Sequence, residues 1–325
     1  MTSGHPNTVP PAWLAALPAG CTARPLEGAR WGQLLMPPAL PPSAAPQGQL
    51  RLVLFASFWI GQATLQAALA YQRRFPERLR IVGLVTDDPV SPQARISLRK
   101  RAWSIMPPAE RLQVKLGLLR TALAAGIPVY TGEIKTPGFR QALGQWRPDA
   151  LVTCGFGQVL DRPILDALPY GAYNCHPTDL ANGHGAGPSP WDDMVTRGVF
   201  HTVWSVHRMI EQVDAGPVIG QSPPIHVGDA SGRLIADARC FFYKVVPGVA
   251  PMILRLVDSL AARRGTGRPG LLQAIDIPGA VSPALRARLA APVAIGWQDL
   301  TIPVPGEADF AALHPPMVED MAAAG

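Results

Sequence analysis

Long apolar runs and a leader-like start are both scarce in this chain of 325 residues. No uninterrupted apolar stretch reaches the roughly 18 to 20 residues that span a bilayer. The proline- and alanine-rich beginning lacks the basic region and apolar region of a secretory signal. These absences argue against a membrane protein and against a secreted one, so we expect no membrane partner and a cytoplasmic location.

Cysteine and metal-binding patterns are also sparse. No CxxC pair and no HExxH occur among the 4 cysteines and 7 histidines. We therefore expect free, mostly buried thiols in a reducing compartment, and no metal site. The cysteines are Cys21, Cys154, Cys175 and Cys240.

Charge is limited as well, at 16% of residues, but the net charge of +6 is concentrated in one segment. Between Arg95 and Arg120 the only acidic residue is Glu110. Such a patch could attract a polyanion such as tRNA or a polyglutamate tail, or it could be a solvated helix face. The second interpretation is favoured, because no RNA-binding motif with interleaved aromatic residues accompanies the segment. Its basic residues are Arg95, Arg99, Lys100, Arg101, Arg111, Lys115 and Arg120.

Apolar segments of strand length alternate with helical patterns through the middle of the chain. This alternation predicts an α/β fold in which helices cover both faces of a mostly parallel sheet. We expect three parts: a Pro/Ala-rich irregular arm over 1–49, a domain over 50–262 and a short irregular extension over 263–325. The predicted strands are 50–56, 80–86, 127–130, 149–154, 170–175, 202–207 and 217–226, and the predicted helices are 62–74, 108–125, 137–146 and 234–263, the last interrupted at 247–248.

Three polar residues stand where such a sheet would place a site. Asn174 and His176 end the fifth predicted strand, and Asp214 follows 38 residues after His176 in the sequence Asp-Ala-Gly-Pro. Ligands of open α/β sheets bind beyond the carboxyl ends of the strands. An amide, an imidazole and a carboxylate together can polarise a carbonyl, move a proton and orient a base, which is the equipment of acyl transfer to nitrogen.

The other polar residues of this region have plainer interpretations. Cys175 lies between Asn174 and His176, so its side chain should point to the opposite face of the strand as a small core residue. His184 and His207 are expected on a loop and on a strand surface.

The segment from 149 to 221 resembles the N10-formyltetrahydrofolate-dependent formyltransferases, whose methionyl-tRNA and sugar-amine types it matches in motif order. The resemblance rests on Asn-Cys-His-Pro at 174–177, Pro-Trp at 190–191 and Asp-Ala-Gly-Pro at 214–217. It implies a Rossmann-like formyltransferase fold. It also implies that Asn174 stabilises the oxyanion, that His176 assists proton transfer, and that Asp214 holds the imidazole.

The same resemblance assigns the formyl donor, 10-formyltetrahydrofolate, to a pocket that holds its pteridine ring mainly through main-chain groups. The residues so implied are Phe156, Gly157, Gln158, Val159, Leu160 and Val213.

Three departures from the family pattern concern the acceptor. The loop after Pro177 carries Thr178 and Asp179, and Asp179 could bind an amine's ammonium group or simply cap the following turn. The first strand ends without a glycine-rich phosphate cradle, which argues against a phosphoribosyl acceptor. The region after 263 is too short and Pro-rich for a complete β-barrel, so tRNA is disfavoured though possible.

The expected function is therefore transfer of a formyl group to a small-molecule amine, an amino sugar or an amino-acid-derived amine. Three alternatives stay open: a methionyl-tRNA formyltransferase, a formyltetrahydrofolate hydrolase, and a non-catalytic folate-binding protein. The altered loop 178–187 motivates the last of these. Nothing in the sequence predicts an oligomeric state.

Overall fold

The computed structural model describes residues 12–39, 46, 48–94, 101–235, 237–293 and 302–314. Three cations of the basic segment, Arg95, Arg99 and Lys100, lie outside the described residues, so its proposed role in polyanion binding stays a prediction.

The regular elements alternate along the chain much as the apolar pattern predicts. The strands are β1 (Thr22–Arg24), β2 (Gly32–Met36), β3 (Leu50–Ala56), β4 (Leu79–Val85), β5 (Val129–Gly132), β6 (Ala150–Cys154), β7 (Ala172–His176), β8 (His201–Thr202), β9 (Ser205–Arg208), β10 (Val218–Gln221) and β11 (Ile225–His226). The helices are α1 (Phe58–Arg74), α2 (Arg101–Ser104), α3 (Pro108–Ala124), α4 (Pro137–Trp146), α5 (Arg162–Leu165), α6 (Pro190–Arg197), α7 (Ala238–Val245), α8 (Val249–Gly265), α9 (Pro283–Ala290) and α10 (Glu307–Leu313).

Nine strands form one mixed sheet in the order β1-β2-β5-β4-β3-β6-β7-β9-β10. The five central strands, from β5 to β7, run parallel, and antiparallel pairs flank them on both sides. The predicted α/β fold with a mostly parallel sheet is therefore confirmed. Since β3 pairs with β4 on one side and β6 on the other, the chain reverses its winding there, and a crevice opens beyond the carboxyl ends of these strands.

Alternation along β3 divides its side chains between two cores. Leu52 and Leu54 belong to a first core, which packs against α1, α3 and α8. Val53 and Phe55 point the other way, into a second core under α4 and α5. A strand with apolar residues on both faces reads as a continuous apolar run, which is why β3 was predictable from sequence at its observed bounds.

The described part of the N-terminal arm contains two strands, although the sequence predicted an irregular segment. Strand β1 pairs with β2, and β2 pairs antiparallel with β5 at the edge of the parallel sheet. Leu34 and Leu35, on opposite faces of β2, are buried in the second and first cores. Backbone hydrogen bonds on both sides hold β2, so a short strand with two buried leucines went unrecognised among the surrounding prolines. The division of the chain at 49 stays a prediction.

Helices α7 and α8, joined by a 3₁₀ turn over Val246–Gly248, form one helical stretch. By length and a mean hydropathy of 1.5 the segment Ala238–Gly265 could cross a membrane, although charged residues interrupt every apolar run within it. However, 83% of the apolar window is buried inside the protein. The first core therefore accounts for its hydropathy.

Lys115 corrects the expectation of a solvated basic face on α3. Its side chain is fully buried, and Nζ lies 2.6 Å from Asp88 Oδ1 and 3.7 Å from the ring centroid of Trp13. Burial lowers the pKa of Lys115 to about 8, and Asp88 opposes that shift. Packing of Trp13, from the N-terminal segment, therefore removes one of the predicted surface cations from solvent.

Candidate active site

A cavity of about 900 Å³ opens beyond the carboxyl ends of β3, β6 and β7. Strand β6 leads into the turn that begins at Gly155, and β7 ends at His176. The parallel pairing of β6 with β7 sets Thr153 beside Asn174. The sheet therefore brings the glycine-containing turn and the Asn-Cys-His motif to one edge, as predicted from strand order.

Alternation along β7 separates the polar residues from the thiol. Tyr173 and Cys175 belong to the first core, whereas Ala172, two residues before Asn174, belongs to the second. Cys175 is 1% exposed and is registered opposite Cys154 on β6. Burial raises the pKa of Cys175 well above its usual value, so the thiol stays protonated and is a core residue.

Asn174, His176 and Asp214 meet in the cavity. Asn174 Nδ2 donates to Asp214 Oδ1 at 2.8 Å, and His176 Nδ1 lies 3.8 Å from Asp214 Oδ2. His176 Nε2 is 2.7 Å from the carbonyl oxygen of Gly185. A carbonyl oxygen only accepts, so Nε2 carries a hydrogen and Nδ1 is the nitrogen that can exchange a proton.

An unusual backbone conformation presents Asp214 to the cavity. Its φ is +53°, in the left-handed region that asparagine and aspartate tolerate better than other side chains. Two residues later, a Cβ at Gly216 would lie 1.7 Å from the carbonyl oxygen of Arg208, so only glycine fits this close approach. Glycine at 216 is thus required for the chain to place the Asp214 carboxylate.

The Asp214 carboxylate is held ionised by its neighbours. Gly187 N donates to Oδ2 at 2.8 Å. Burial alone would raise the pKa of Asp214, but the imidazole of His176 and the Gly187 N–H hold it well below its ordinary value. The site therefore keeps a negative charge beside both imidazoles at neutral pH.

His207 is part of this cluster, and the expectation of a surface position was wrong. It is 2% exposed on β9, directly opposite Asn174 across the antiparallel pair of β7 and β9. His207 Nδ1 lies 3.1 Å from the carbonyl oxygen of Arg208, so Nδ1 is the protonated nitrogen of the neutral ring. Nε2 then accepts from Asn174 Nδ2 at 3.0 Å and lies 3.4 Å from Asp214 Oδ1.

Inspection of the strand pattern could have located His207. In the strand segment Ser-Val-His-Arg, His207 lies two residues after Ser205, so the two side chains are on the same face of the strand. What the sequence could not show is that β9 pairs with β7 in the register that sets the two polar side chains opposite each other.

Thr178 and Asp179 are not among the residues that line the cavity. Thr178 is 1% exposed, and its hydroxyl donates to the Gly185 carbonyl oxygen. The Asp179 carboxylate accepts from Asn182 Nδ2 at 2.7 Å and from Gln221 Nε2 at 2.9 Å. Both side chains therefore shape the loop, and their contact with an acceptor stays a prediction.

One end of the cavity, which we call the loop lobe, is built by the six residues that the sequence assigned to the pteridine ring: Phe156, Gly157, Gln158, Val159, Leu160 and Val213. Val159 and Val213 are exposed at 45% and 51%, a large value for apolar side chains at a cavity. Gln158 ties the turn to the end of β5, with Nε2 donating to the Gly132 carbonyl oxygen at 2.8 Å.

The N-terminal segment adds a wall to the loop lobe that sequence analysis did not predict. Arg30 and Trp31 line the cavity just before β2. Arg30 binds Glu133 through its backbone N–H at 2.7 Å and its guanidinium Nε at 2.8 Å. Ile134 N donates to Gln158 Oε1 at 3.3 Å, so the wall, the end of β5 and the turn are joined.

The other end of the cavity, which we call the aromatic lobe, comprises Phe58, Ile60, Ala102, Pro188, Pro190 and Phe242. Phe58 has φ +46°, which costs a bulky side chain roughly 1–2 kcal/mol. Its ring packs edge to face on Phe242 and on Trp103, each with centroids 5.7 Å apart. A Cβ at Gly155 would lie 2.7 Å from this ring, so glycine is needed there too.

Comparison with known proteins shows which proteins this chain is similar to. A sequence profile described as Formyl transferase matches residues 97–248. The match covers just under half of the chain, so this segment is similar to the formyl transferases, as its motifs predicted.

Several curated relatives are methionyl-tRNA formyltransferases. That of Bifidobacterium longum (strain DJO10A) is 31% identical over 146 residues, 44% of this chain and 40% of the relative. That of Roseiflexus castenholzii (strain DSM 13941 / HLO8) is 26% identical over 226 residues, 68% of this chain and 62% of the relative. The chain thus spans less than two thirds of the length of these relatives.

Solved structures show more distant similarity. Glycinamide ribonucleotide transformylase 1 from Symbiobacterium toebii has 17% sequence identity and a TM-score of 0.49, with 71% of this chain and 95% of that chain covered. Phosphoribosylglycinamide formyltransferase from Bacillus halodurans has 17% identity and a TM-score of 0.45, over 67% of this chain and 97% of that chain. Similarity at this level carries no argument about the substrate.

Proposed function

We propose that this protein transfers a formyl group from 10-formyltetrahydrofolate to the amine of a small molecule. The observation that carries the proposal is the meeting of Asn174, His176 and Asp214 in one cavity. They come from two distant segments of the chain, and a 2.8 Å hydrogen bond joins Asn174 to Asp214. An amide donor, an imidazole with one exchangeable nitrogen and a fixed carboxylate are what attack on a formyl carbon requires.

The loop lobe fits the donor by its chemistry. Its exposed valines offer two apolar surfaces, Val159 and Val213, between which a flat ring could lie. The turn after β6, over 155–160, supplies backbone N–H and C=O groups beside a cavity of about 900 Å³. Ligand pockets of roughly 300–1,000 Å³ with apolar walls and few polar groups are typical of small-molecule sites.

When bound, the folate supplies the formyl group. The amine would attack the formyl carbon, and the bond between that carbon and N10 would then break. Asn174 would donate an N–H to the oxyanion that forms on the formyl oxygen. In this structure both of its N–H groups contact Asp214 and His207, so the oxyanion would replace one of these two acceptors.

His176 would manage the protons. Its Nδ1 would take the proton that the attacking amine loses and return one to the departing N10 nitrogen, so the reaction consumes no net proton. Asp214, ionised and 3.8 Å from Nδ1, would stabilise the imidazolium between these two steps.

Release of tetrahydrofolate from 10-formyltetrahydrofolate tests the proposal, measured for the wild type and His176→Ala with and without a panel of amines. We expect amine-dependent release that His176→Ala lowers by about 10²–10⁴-fold. His226→Ala, on β11 outside the cavity, is the matched control and should retain wild-type turnover. Fast release without any amine would instead assign a hydrolase, and folate binding without any release would assign a binding protein.

The second candidate function is methionyl-tRNA formylation. Its support is that the curated relatives from Bifidobacterium longum and Roseiflexus castenholzii bear this name. Over 266–314 the described chain supplies mainly the short helices α9 and α10. Adding initiator methionyl-tRNA to the amine panel decides between them. A steep loss of tRNA formylation between about 50 and 200 mM salt would indicate a basic tRNA contact.

A further inference from the structure

We propose that the acceptor is an amine carried on an apolar or aromatic scaffold, bound in the aromatic lobe by Phe58, Ile60 and Phe242. This inference rests on the proposed formyl transfer and names the substrate class of the same site. The loop lobe holds the main-chain groups suited to the donor. The rest of the cavity beside Asn174 and His176 is therefore the acceptor's place.

The aromatic lobe comes from the opposite face of the sheet to the loop lobe. Phe58, Ile60 and Phe242 belong to the first core, whereas Phe156 and Leu160 belong to the second. The cavity therefore crosses the carboxyl edge of the sheet, with one ligand lobe on each side. Two reactants that approach from the two faces would meet at the end of β7, where Asn174 and His176 lie.

Phe58 occupies the point at which the chain leaves the first parallel strand and enters α1. Its left-handed backbone, at φ +46°, is sustained only because the surroundings hold the ring. A bulky ring held in a costly conformation where it lines a cavity points to a functional position.

The rings are fixed in place. Phe58 packs edge to face on both Phe242 and Trp103, and Phe242 packs edge to face on Phe241 at 5.3 Å. Because these rings are already ordered, binding of an apolar acceptor costs little side-chain entropy. A polyhydroxylated acceptor would instead leave hydroxyl groups against these rings without partners, which disfavours it.

The remaining wall of the lobe comes from Pro188 and Pro190, just before α6 and at its first residue. Proline rings present apolar surface and no N–H donor. Together with Ala102 they add apolar surface to this lobe.

The test compares 2-phenylethylamine, glucosamine and glucosamine 6-phosphate as acceptors, by formyl-product formation and by tetrahydrofolate release. We expect kcat/KM for 2-phenylethylamine to exceed both sugars by at least about tenfold, because a hydrophobic pocket discriminates by roughly that factor per missing apolar group. Phe242→Leu should raise the KM for 2-phenylethylamine about tenfold and leave the KM for the donor unchanged.

Phe75→Leu is the control, because Phe75 follows α1, packs against the same first core and does not line the cavity. It should leave both KM values at wild-type levels, and thermal unfolding of both variants checks that they fold. Faster turnover of either sugar, or equal effects of Phe75→Leu and Phe242→Leu, would overturn the inference while the formyltransferase proposal stands. Absence of folate turnover with every acceptor would overturn both.

Discussion

The two lobes of the cavity are held by different kinds of interaction. Hydrogen bonds and ion pairs hold the loop lobe, from Arg30 and Glu133 through Gln158 to the turn after β6. Edge-to-face rings and prolines hold the aromatic lobe around Phe58. Hydrogen-bonded walls select ligands by the direction of their polar groups, whereas apolar walls select by shape and area.

The cluster of Asn174, His176 and Asp214, which we propose to be catalytic, lines the same cavity at the end of β7. The Asn174 side chain is oriented by the hydrogen bonds that its Nδ2 donates to Asp214 and His207, while Cys175 next to it faces the first core. If the loop lobe binds the donor and the aromatic lobe binds the acceptor, each set of substitutions should change a different kinetic constant. Those in the cluster should change kcat, those in the loop lobe the KM for the donor, and those in the aromatic lobe the KM for the acceptor.

The largest expected effect is that of Asn174→Ala. Loss of the oxyanion donor should lower kcat by about 10²–10³-fold with the KM values nearly unchanged, since the interaction is made in the transition state. Steady-state kinetics with donor and acceptor varied in turn measure this. Asn182→Ala removes an exposed loop amide that contacts Asp179 and should have wild-type kinetics. An effect of Asn174→Ala on KM alone would place Asn174 in ground-state binding instead.

Next in size is His207→Phe. This change keeps the ring and removes both nitrogens, so Asn174 Nδ2 loses a partner at 3.0 Å and can rotate away from its productive position. We expect kcat to fall about 10²-fold, as for small misplacements of catalytic groups. His207→Gln, which retains an acceptor for the amide, should recover part of the loss. Equal activity of the two variants would indicate that His207 only fills space.

Gln158→Ala should act on the loop lobe alone. It removes the hydrogen bonds to Gly132 and Ile134, each worth roughly 0.5–1.5 kcal/mol, so the turn loosens. The KM for the donor should rise about three- to tenfold. Gln113→Ala, on the exposed side of α3, is the control. A rise in the KM for the acceptor as well would show that the two lobes are not independent.

The smallest expected effect is a pH dependence of stability. Asp214 has a folded pKa below its ordinary value of 3.8. It therefore contributes stability that is fully present above the unfolded pKa of about 3.9 and is lost as pH falls towards the folded value.

Urea unfolding of the wild type and Asp214→Asn measures this contribution. The difference in the free energy of unfolding should be largest from about pH 5 upward and should shrink as pH falls below about 4. A difference that is the same at every pH would mean that the charge of Asp214 does not stabilise the fold.

Sequence pattern predicted the elements that have apolar side chains on both faces. Strands β3 and β6 and helix α4 lie within a residue of their expected bounds, because a buried parallel strand or an amphipathic helix displays its environment in its own residues. Strand β2 was missed, since it is held by backbone hydrogen bonds to β1 on one side and β5 on the other, and such bonds leave no mark in composition.

For the site, the sequence by itself determined the identity and order of Asn174, His176 and Asp214, and the strand that carries the first two. Only the tertiary structure decided that His207 joins them, that Thr178 and Asp179 turn inward, and that the N-terminal segment walls the loop lobe. The reason is physical: period and motif are local, whereas the partners of a side chain depend on strand order and register, which bring distant segments together.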